Sequence, residues 1–198
     1  MKYVQIKIGL ILLFISQLCW AQQSSYYLSF VKNLNEVSAK FILPKKFHEI
    51  NTENKFPCGD YKISNTIMYG IANKDSSIKI VFSVIPPVKP KRLELQKLND
   101  RNFTAQIAHF NNVKDVADTI NDKIIHLNDF QKANYNVDVG AIFTRNCPIP
   151  YENKYRFNRI LYLYKEGFGH IEVTYFYNKK NMDIDALINE TSGLIKYN

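Results

Sequence analysis

Glycine is scarce in this chain, with 7 residues among 198, and it forms none of the glycine-rich motifs that common enzymes use. No G-x-S-x-G, G-x-x-x-x-G-K or G-x-G-x-x-G pattern occurs, which argues against the usual serine hydrolases and nucleotide-binding enzymes. The four histidines are far apart, and no H-E-x-x-H or H-x-H pair exists. The sequence therefore predicts no catalytic residue, no metal site and no cofactor.

The N-terminal apolar run is too short for a membrane-spanning helix. Such a helix needs about 20 apolar residues, whereas this run covers residues 8–15. Lys2 and Lys7 precede it, which is the pattern of a secretory signal peptide. Small residues at the two positions that a signal peptidase reads predict cleavage after Ala21. Residues 1–21 are thus expected to be a leader, and no transmembrane span is expected after its removal.

Cys19 raises an alternative, because a bacterial lipoprotein carries its lipid on a cysteine that becomes the new N-terminus. Gln17 and Leu18 fit that pattern poorly, since a bulky leucine adjoins the cysteine. Ordinary cleavage is the favoured interpretation and lipidation is the competing one. The predicted location is periplasmic or secreted.

Cysteine is also rare, with three residues in the chain, and only Cys58 and Cys147 survive cleavage. Two cysteines in an oxidising compartment usually pair. They do not form a C-x-x-C redox motif, and each adjoins a proline, in "FPCGDY" and "RNCPIP", which indicates loops. A bridge between them would close a loop of about 90 residues and stabilise the fold by about 4 to 5 kcal/mol. We expect a structural disulfide.

The mature chain, residues 22–198, is long enough for one domain with a substantial core. After Lys2 and Lys7 are removed, 24 basic and 18 acidic residues remain, a formal charge of +6. In an exported chain this excess does not indicate nucleic-acid binding. The basic residues are scattered, mostly in twos, which favours a solvated surface, with attraction to an anionic partner as the alternative.

Two β-hairpins are the clearest elements of the sequence. "TIMYGIANKDSSIKIVFSVIPP" has two β-rich runs around the turn-forming "NKDSS". "YRFNRILYLYKEGFGHIEVTYFYN" joins two aromatic and β-branched runs through "KEGFG", whose glycines suit a turn. In the first hairpin the alternating apolar residues of a central strand are Ile78, Ile80, Phe82 and Val84.

The remaining elements are predicted from shorter patterns. "YYLSFVKNLNE" fits a helix or a first strand, "SAKFILP" a strand, and residues 45–61 a long loop. Residues 91–110 predict one helix or two abutting helices, and "VKDVADTI" a shorter helical or turn element. "KIIHLNDFQ" and "ANYNVDVGAIFTRN" predict two strands, the second with one side formed by Tyr135, Val137, Val139, Ala141 and Phe143.

The segment "MDIDALINETSGLIKY" predicts a C-terminal helix with Asp183 as its N-cap. Its expected apolar stripe is Ile184, Leu187, Ile188 and Ile195. Carboxylates near the helix start interact favourably with the helix dipole. Glu166 and Glu172 flank the turn of the long hairpin. We interpret all of these acids as caps or as solvated surface.

Successive hairpins with amphipathic helices predict an α+β domain, with a central, mainly antiparallel sheet flanked by helices. "FILPKKF", "IKIVFSVIPP" before a helix, and the terminal "GHIEVTYFYNKKNMDIDALINETSGLI" resemble the PsbP-like superfamily, named for an extrinsic subunit of photosystem II. The likeness is one of element order over most of the mature chain, without a diagnostic motif. It implies an α/β/α sandwich with helices on both faces of the sheet, and a mostly non-enzymatic role in binding other proteins.

Aromatic residues are abundant, with 13 tyrosines and 13 phenylalanines, and tyrosine suits both interfaces and sheet surfaces. A partner-binding surface is predicted in "CPIPYENKYRF" and the turn "KEGFG", where tyrosines and cations could meet an acidic partner. The residues expected to form it are Tyr151, Tyr155, Arg156, Phe157, Lys165 and Phe168.

The leading functional hypothesis is an exported, non-enzymatic protein-interaction module of the cell envelope, of accessory or immunity type. Its expected partner is another protein or macromolecule of the envelope and not a nucleic acid. One alternative is a carrier of an apolar small molecule or lipid, held in a cavity between sheet and helices. A hydrolase with no recognisable motif is the other.

Overall fold

The computed structural model describes residues 24–52, 69–86, 124–144 and 150–198. The predicted leader, Cys58, Cys147, the helix of residues 91–110 and the element at "VKDVADTI" lie outside these ranges. The leader, the disulfide and those two elements therefore stay predictions.

The described residues form three helices and nine strands. The helices are α1 (Ser25–Glu36), α2 (Asp129–Tyr135) and α3 (Ile184–Glu190). The strands are β1 (Ala39–Phe41), β2 (Phe47–Glu49), β3 (Tyr69–Asn73), β4 (Ile78–Ile85), β5 (Ile125–His126), β6 (Val139–Phe143), β7 (Phe157–Lys165), β8 (Gly169–Tyr177) and β9 (Ile195–Tyr197).

Seven strands form one antiparallel sheet in the order β2-β3-β4-β8-β7-β6-β5, and β1 pairs with β9 in a separate two-stranded ribbon. The predicted α+β class with a central antiparallel sheet is confirmed. Both predicted hairpins are confirmed as β3–β4 and β7–β8, and β4 and β8 lie side by side at the centre of the sheet. In the β7–β8 turn, Gly167 has a φ of 77°, a conformation that suits glycine.

All three described helices pack on the same face of the sheet, which we call the helix-covered face. The first helix buries Phe30 and Leu34 there, and α3 buries Ile184 and Ile188. The aromatic centre of this core links α1, β1, β3 and β4: Phe30 stacks on Tyr69 at 4.6 Å between ring centroids. Phe82 lies 5.4 Å from Phe30 and 5.3 Å from Phe41, measured between the same points.

The opposite face, which we call the far face, carries a mixture of apolar and polar side chains. Strand β4 is buried almost throughout, so the prediction of a central strand covered on both sides is confirmed. Two apolar clusters on this face are separate from the main core, one around Ile160 and Tyr162 and the other around Val81 and Phe176. Whether a helix covers the far face, as the PsbP-like resemblance implies, concerns residues outside the described ranges.

The structure decides one open alternative and differs from the prediction in three other segments. "YYLSFVKNLNE", which fitted a helix or a strand, is the helix α1, begun by the Ser24 side chain accepting from the Tyr27 backbone N–H. The predicted loop of residues 45–61 contains β2. Most of "KIIHLNDFQ" is not strand, because Asn128 and Gln131 form a reciprocal capping box that starts α2. Tyr135 belongs to α2 as a result, not to the following strand.

The C-terminal helix is confirmed, with Asp183 capping it by accepting from the Ala186 backbone N–H. Asp185 in its first turn pairs with Arg159 of β7 through two oxygens, at 3.0 and 3.2 Å. The helix ends earlier than expected, since Ile195 lies in β9, where it pairs with Phe41. A turn at residues 191–194 therefore separates α3 from β9.

Candidate functional site

The six residues of the predicted partner-binding surface lie in two separate groups. Tyr151, Tyr155, Arg156 and Phe157 lie at the start of β7, whereas Lys165 and Phe168 lie at its end. A strand rises about 3.4 Å per residue, so the length of this strand puts the two groups at least about 25 Å apart. The two segments therefore flank opposite ends of a single strand, and that they meet a partner together stays a prediction.

The two tyrosines of that surface are also buried, with 1% of Tyr151 and 3% of Tyr155 exposed. The ring of Tyr151 stacks on Phe176 of the far face at a centroid distance of 4.2 Å. The Lys79 ammonium lies 5.2 Å from the centre of the Tyr151 ring and forms an ion pair with Glu152. These contacts hold the 151–155 turn on the sheet, so the tyrosine rings are core groups.

The hydroxyl of Tyr155 donates to the Ser76 carbonyl at 3.0 Å, and the Lys154 ammonium reaches the same oxygen at 2.9 Å. Burial raises the pKa of the Tyr155 hydroxyl above its ordinary value, although the nearby Lys154 lowers it. Arg156 next to it is exposed, and Phe157 is half-buried against Tyr177. The start of β7 thus offers two exposed cations, Lys154 and Arg156, and little exposed aromatic surface.

At the other end of β7, the Lys165 ammonium donates to Asn136 at two oxygens, at 2.8 and 3.0 Å. Asn136 has a φ of 55° at the end of α2, and its side-chain amide also donates to the Asn198 carbonyl at 2.6 Å. Lys165 therefore fixes the hairpin tip to the end of α2 and to the C-terminus. Phe168 remains 38% exposed beside it.

The far face has a buried polar row that the sequence did not indicate. Ser83, Glu172 and Tyr162 are direct neighbours on β4, β8 and β7, and all three are buried. The prediction that Glu172 is a solvated surface acid is therefore wrong. The Thr174 hydroxyl donates to its carboxylate at 3.5 Å, and the ring of His170 lies 5.2 Å from that of Tyr162. The alternation of apolar and polar residues along a strand does not reveal whether its polar side is also covered.

Burial lowers the pKa of His170 to about 4 from its ordinary value of 6.5. The folded state thus holds the imidazole neutral, whereas the unfolded chain protonates it below about pH 6.5. Between pH 6.5 and 4 the unfolded state binds more protons, so stability falls as the pH is lowered through this window. The shift corresponds to about 3 kcal/mol, and no further loss from this group is expected below pH 4.

We expect His170→Gln to flatten the decline of unfolding free energy between pH 7 and 4. Urea unfolding at a series of pH values measures the slope. Proton NMR of the His170 ring should show a titration midpoint near pH 4 in the wild type. A midpoint near 6.5, or parallel pH profiles for the wild type and the variant, would contradict the buried neutral imidazole.

A pocket of about 290 Å³ opens where the β1–β2 loop meets the turn between α3 and β9, and we call it the Ile42 pocket. The Ile42 backbone N–H donates to the Leu194 carbonyl at 2.9 Å, which extends the β1–β9 ribbon to this point. Pro44 then turns the chain, and its carbonyl accepts from the Phe47 N–H at 2.9 Å. Apolar side chains that line the pocket are Ile42, Pro44, Phe47 and Leu194.

Charged side chains lie at the rim of the same pocket. Lys45 and Lys46 come from the β1–β2 loop, and Glu190 comes from the end of α3. Lys46 and Glu190 form an exposed ion pair of 3.1 Å. Lys45 is exposed and makes no ion pair with any described residue.

Apolar surface continues outside the pocket. Ile42 is 64% exposed and the adjacent Leu43 43% exposed. Gly193 also lines the pocket, and a Cβ added there would meet no atom within 4 Å. The site therefore combines an open apolar recess, exposed aliphatic side chains and a cation, Lys45, that no described carboxylate compensates.

Sequence reasoning missed this site, because "FILP" was interpreted as the end of a strand and "KK" as solvated charge. The signal that was available is the break of alternation: three apolar residues, Phe41 to Leu43, stand together before Pro44 and two lysines. A strand with one buried face would alternate at these positions. The second half of the site, at the α3–β9 turn, has no local signal.

Comparisons with protein-family models, with curated proteins and with solved structures each found no match. Within the described ranges, no three histidine, cysteine or acidic side chains come together in a group that could hold a metal ion. None of the helices in the described part of the chain is long and apolar enough to cross a membrane. A function for this protein therefore rests on the geometry of its own residues.

Proposed function

We propose that the protein is an exported, non-catalytic binding protein of the cell envelope, and that it recognises another protein through the Ile42 pocket. The observation that carries this proposal is the exposed aliphatic surface of Ile42 and Leu43 directly beside an apolar recess. Interfaces are anchored by apolar side chains that fill such recesses, with neighbouring apolar contacts that exclude water. The export part rests on the leader pattern of residues 1–21, and a PsbP-like relationship, resting on element order, belongs to the same proposal.

A free small molecule is a weaker fit to this site. The pocket volume of about 290 Å³ lies just below the range for small-molecule sites, which begins at about 300 Å³. A ligand seated in the recess would leave the exposed side of Ile42 and Leu43 uncovered. A protein segment can place one anchor side chain in the recess and cover both residues with its flanks.

The apolar-ligand carrier has less support from the described residues. Between the helices and the sheet the core is filled by aromatic rings, with centroid distances of 4.6 Å for Phe30–Tyr69 and 5.4 Å for Phe30–Phe82. The Ile42 pocket lies at the edge of this core, where the β1–β2 loop and the α3–β9 turn meet. The Ile42 pocket is therefore not a cavity between the sheet and the helices, which is where the carrier hypothesis places its ligand.

Filling the pocket tests the proposal. A random peptide library displayed on phage is selected on the purified wild-type protein, and the enriched peptides are then measured by fluorescence polarisation. Gly193→Phe places a ring in open space, so the fold should be retained. We expect it to weaken binding of the enriched peptides by at least about tenfold, as loss of an anchor pocket does.

Ala133→Phe is the matched control, because it adds a ring at an exposed position of α2 that does not line the pocket. Circular dichroism and urea unfolding establish that both variants are folded. Peptides that bind Gly193→Phe as well as the wild type would overturn the proposed site. So would the absence of enriched peptides combined with fatty-acid or vesicle binding that Gly193→Phe abolishes, since the site would then serve lipid.

A further inference from the structure

Resting on the proposed function, we infer that the partner segment carries a carboxylate next to its apolar anchor, and that Lys45 is the residue that recognises it. The proposal concerns one charge at the rim of the Ile42 pocket. Lys45 and Lys46 are adjacent in sequence and both line the pocket, but their electrostatic situations differ.

Lys46 is already compensated, because its ammonium lies 3.1 Å from a Glu190 carboxylate oxygen. Lys45 has no such partner among the residues that the structure describes, although it is exposed on the same rim. A pair at the rim contributes no net charge to an incoming ligand, whereas a lone ammonium attracts an anion. The Ile42 pocket is therefore positive at Lys45 and close to neutral at the ion pair.

The apolar wall makes this cation more selective than an ordinary surface lysine. A segment that fills the recess removes water from the inner side of Lys45, which strengthens an ion pair formed there relative to one in bulk solvent. A cationic residue brought to the same place would be repelled. A neutral amide of the partner at this place would leave the charge of the Lys45 ammonium uncompensated.

The reach of the lysine side chain limits where the carboxylate stands. Lys45 and the apolar wall residue Pro44 are sequence neighbours, and a lysine carries its ammonium on a flexible four-carbon stem, so we expect the anion within two residues of the anchor group. Two sources have the required chemistry: an Asp or Glu within two residues of the aliphatic anchor, or the C-terminal carboxylate of a chain that ends in the anchor. The class of partner is an acidic, aliphatic protein segment in either case.

An anionic membrane surface fits the rim less well. The Lys46–Glu190 pair adds no net charge, so among the described lining residues Lys45 alone gives the rim a net positive charge, whereas surfaces that bind anionic lipids use clusters of basic residues. The recess is also small for a whole acyl chain, given its volume of about 290 Å³. A peptide segment places one carboxylate at Lys45 and leaves the Lys46–Glu190 pair intact.

Charge reversal at Lys45 tests the inference. The phage library is selected in parallel on the wild type and on Lys45→Glu, with Lys32→Glu as the control for an exposed lysine of α1 outside the pocket. We expect wild-type peptides to be enriched in Asp or Glu within two positions of Leu, Ile or Val. On Lys45→Glu the enrichment should switch to Lys or Arg, and Lys32→Glu should give the wild-type pattern.

Affinities give a second readout on synthetic peptides. An acidic peptide selected on the wild type should bind Lys45→Glu about tenfold more weakly and Lys32→Glu within about twofold. Glu190→Gln should bind it a few fold more tightly, because it frees Lys46 from its pair. Versions with free and amidated C-termini separate the two carboxylate sources.

The two levels of the proposal fail in different ways. Peptides that lose binding to Gly193→Phe but show no acid preference, or keep their affinity for Lys45→Glu, would overturn the role of Lys45 and leave the docking site standing. Peptides that ignore Gly193→Phe would overturn the docking site itself. Vesicles containing phosphatidylglycerol that bind in a Lys45-dependent manner, with no peptide enriched, would overturn the assignment to a protein segment.

Discussion

Replacing Phe82 by alanine is expected to lower the free energy of unfolding by about 3 to 5 kcal/mol. Phe82 is fully buried on β4, and its ring is within 5.4 Å of the Phe30 ring and 5.3 Å of the Phe41 ring. These rings bring together the first helix, the ribbon strand β1 and the centre of the sheet. The alanine variant loses the transfer free energy of the ring, and its rigid aromatic neighbours cannot fully close the cavity.

Phe130→Ala is the matched control, because it makes the same chemical change at a side chain that is 75% exposed on α2. Its unfolding free energy should stay within about 0.5 kcal/mol of the wild type. Urea unfolding, followed by circular dichroism, measures the unfolding free energy of both variants. Both are measured in the same redox buffer, so that the cysteines are in the same state. A loss at Phe82 that is no larger than the loss at Phe130 would mean that the aromatic core is not arranged as described.

Replacing Glu152 by glutamine is expected to cost about 3 kcal/mol of stability. Its carboxylate pairs with Lys79, whose side chain is only 7% exposed on the far face. The variant keeps the shape of the side chain but leaves a buried ammonium with the faces of Tyr151 and Tyr155 as its neighbours. Cation–π contacts offset part of the desolvation, and the partial exposure of Glu152 keeps the cost at the low end for a buried pair.

Lys79→Met removes the buried charge itself, whereas Glu152→Gln leaves that charge buried without its partner. A methionine packs against the same tyrosine rings and removes the buried charge, so the change should be within about 1 kcal/mol. The double variant Lys79→Met/Glu152→Gln should recover most of what Glu152→Gln loses. Glu190→Gln serves as the control for an exposed pair and should change stability by less than about 1 kcal/mol.

Urea is the denaturant for this cycle, since guanidinium would screen the charges. If Glu152→Gln and Glu190→Gln cost the same, the Lys79 ammonium is not buried as described. If the double variant is no more stable than Glu152→Gln alone, the carboxylate acts through something other than the lysine. Either result would mean that the Lys79–Glu152 ion pair does not hold the 151–155 turn in place.

Local patterns in the sequence were enough for several elements. The β3–β4 and β7–β8 hairpins follow from runs of β-branched and aromatic residues around a turn sequence, and Asp183 identified the start of α3. Turn residues and caps act within a few positions of the chain, so neighbouring residues determine them. The end of α3 was misplaced at Ile195 because an aliphatic residue can continue a helical stripe or begin a strand equally well.

The surroundings of the candidate site residues do not follow from local patterns. Tyrosine suits an interface, which predicts Tyr151 and Tyr155 at the surface, but Phe176 and Lys79 from other strands cover both rings. The Ile42 pocket was missed since its two halves, the β1–β2 loop and the α3–β9 turn, are about 150 residues apart in sequence. No spacing rule connects positions so distant.

By itself, the sequence of this protein determined the α+β class, the antiparallel hairpins and which side of β4 is apolar, because these depend on the periods of about 2 residues in strands and about 3.6 residues in helices. The tertiary structure alone decided that Lys79 and Glu172 are buried, that β9 pairs with β1, and that Ile42 and Leu43 are left exposed. Burial is a property of what packs on a surface, and the packing partners come from distant parts of the chain.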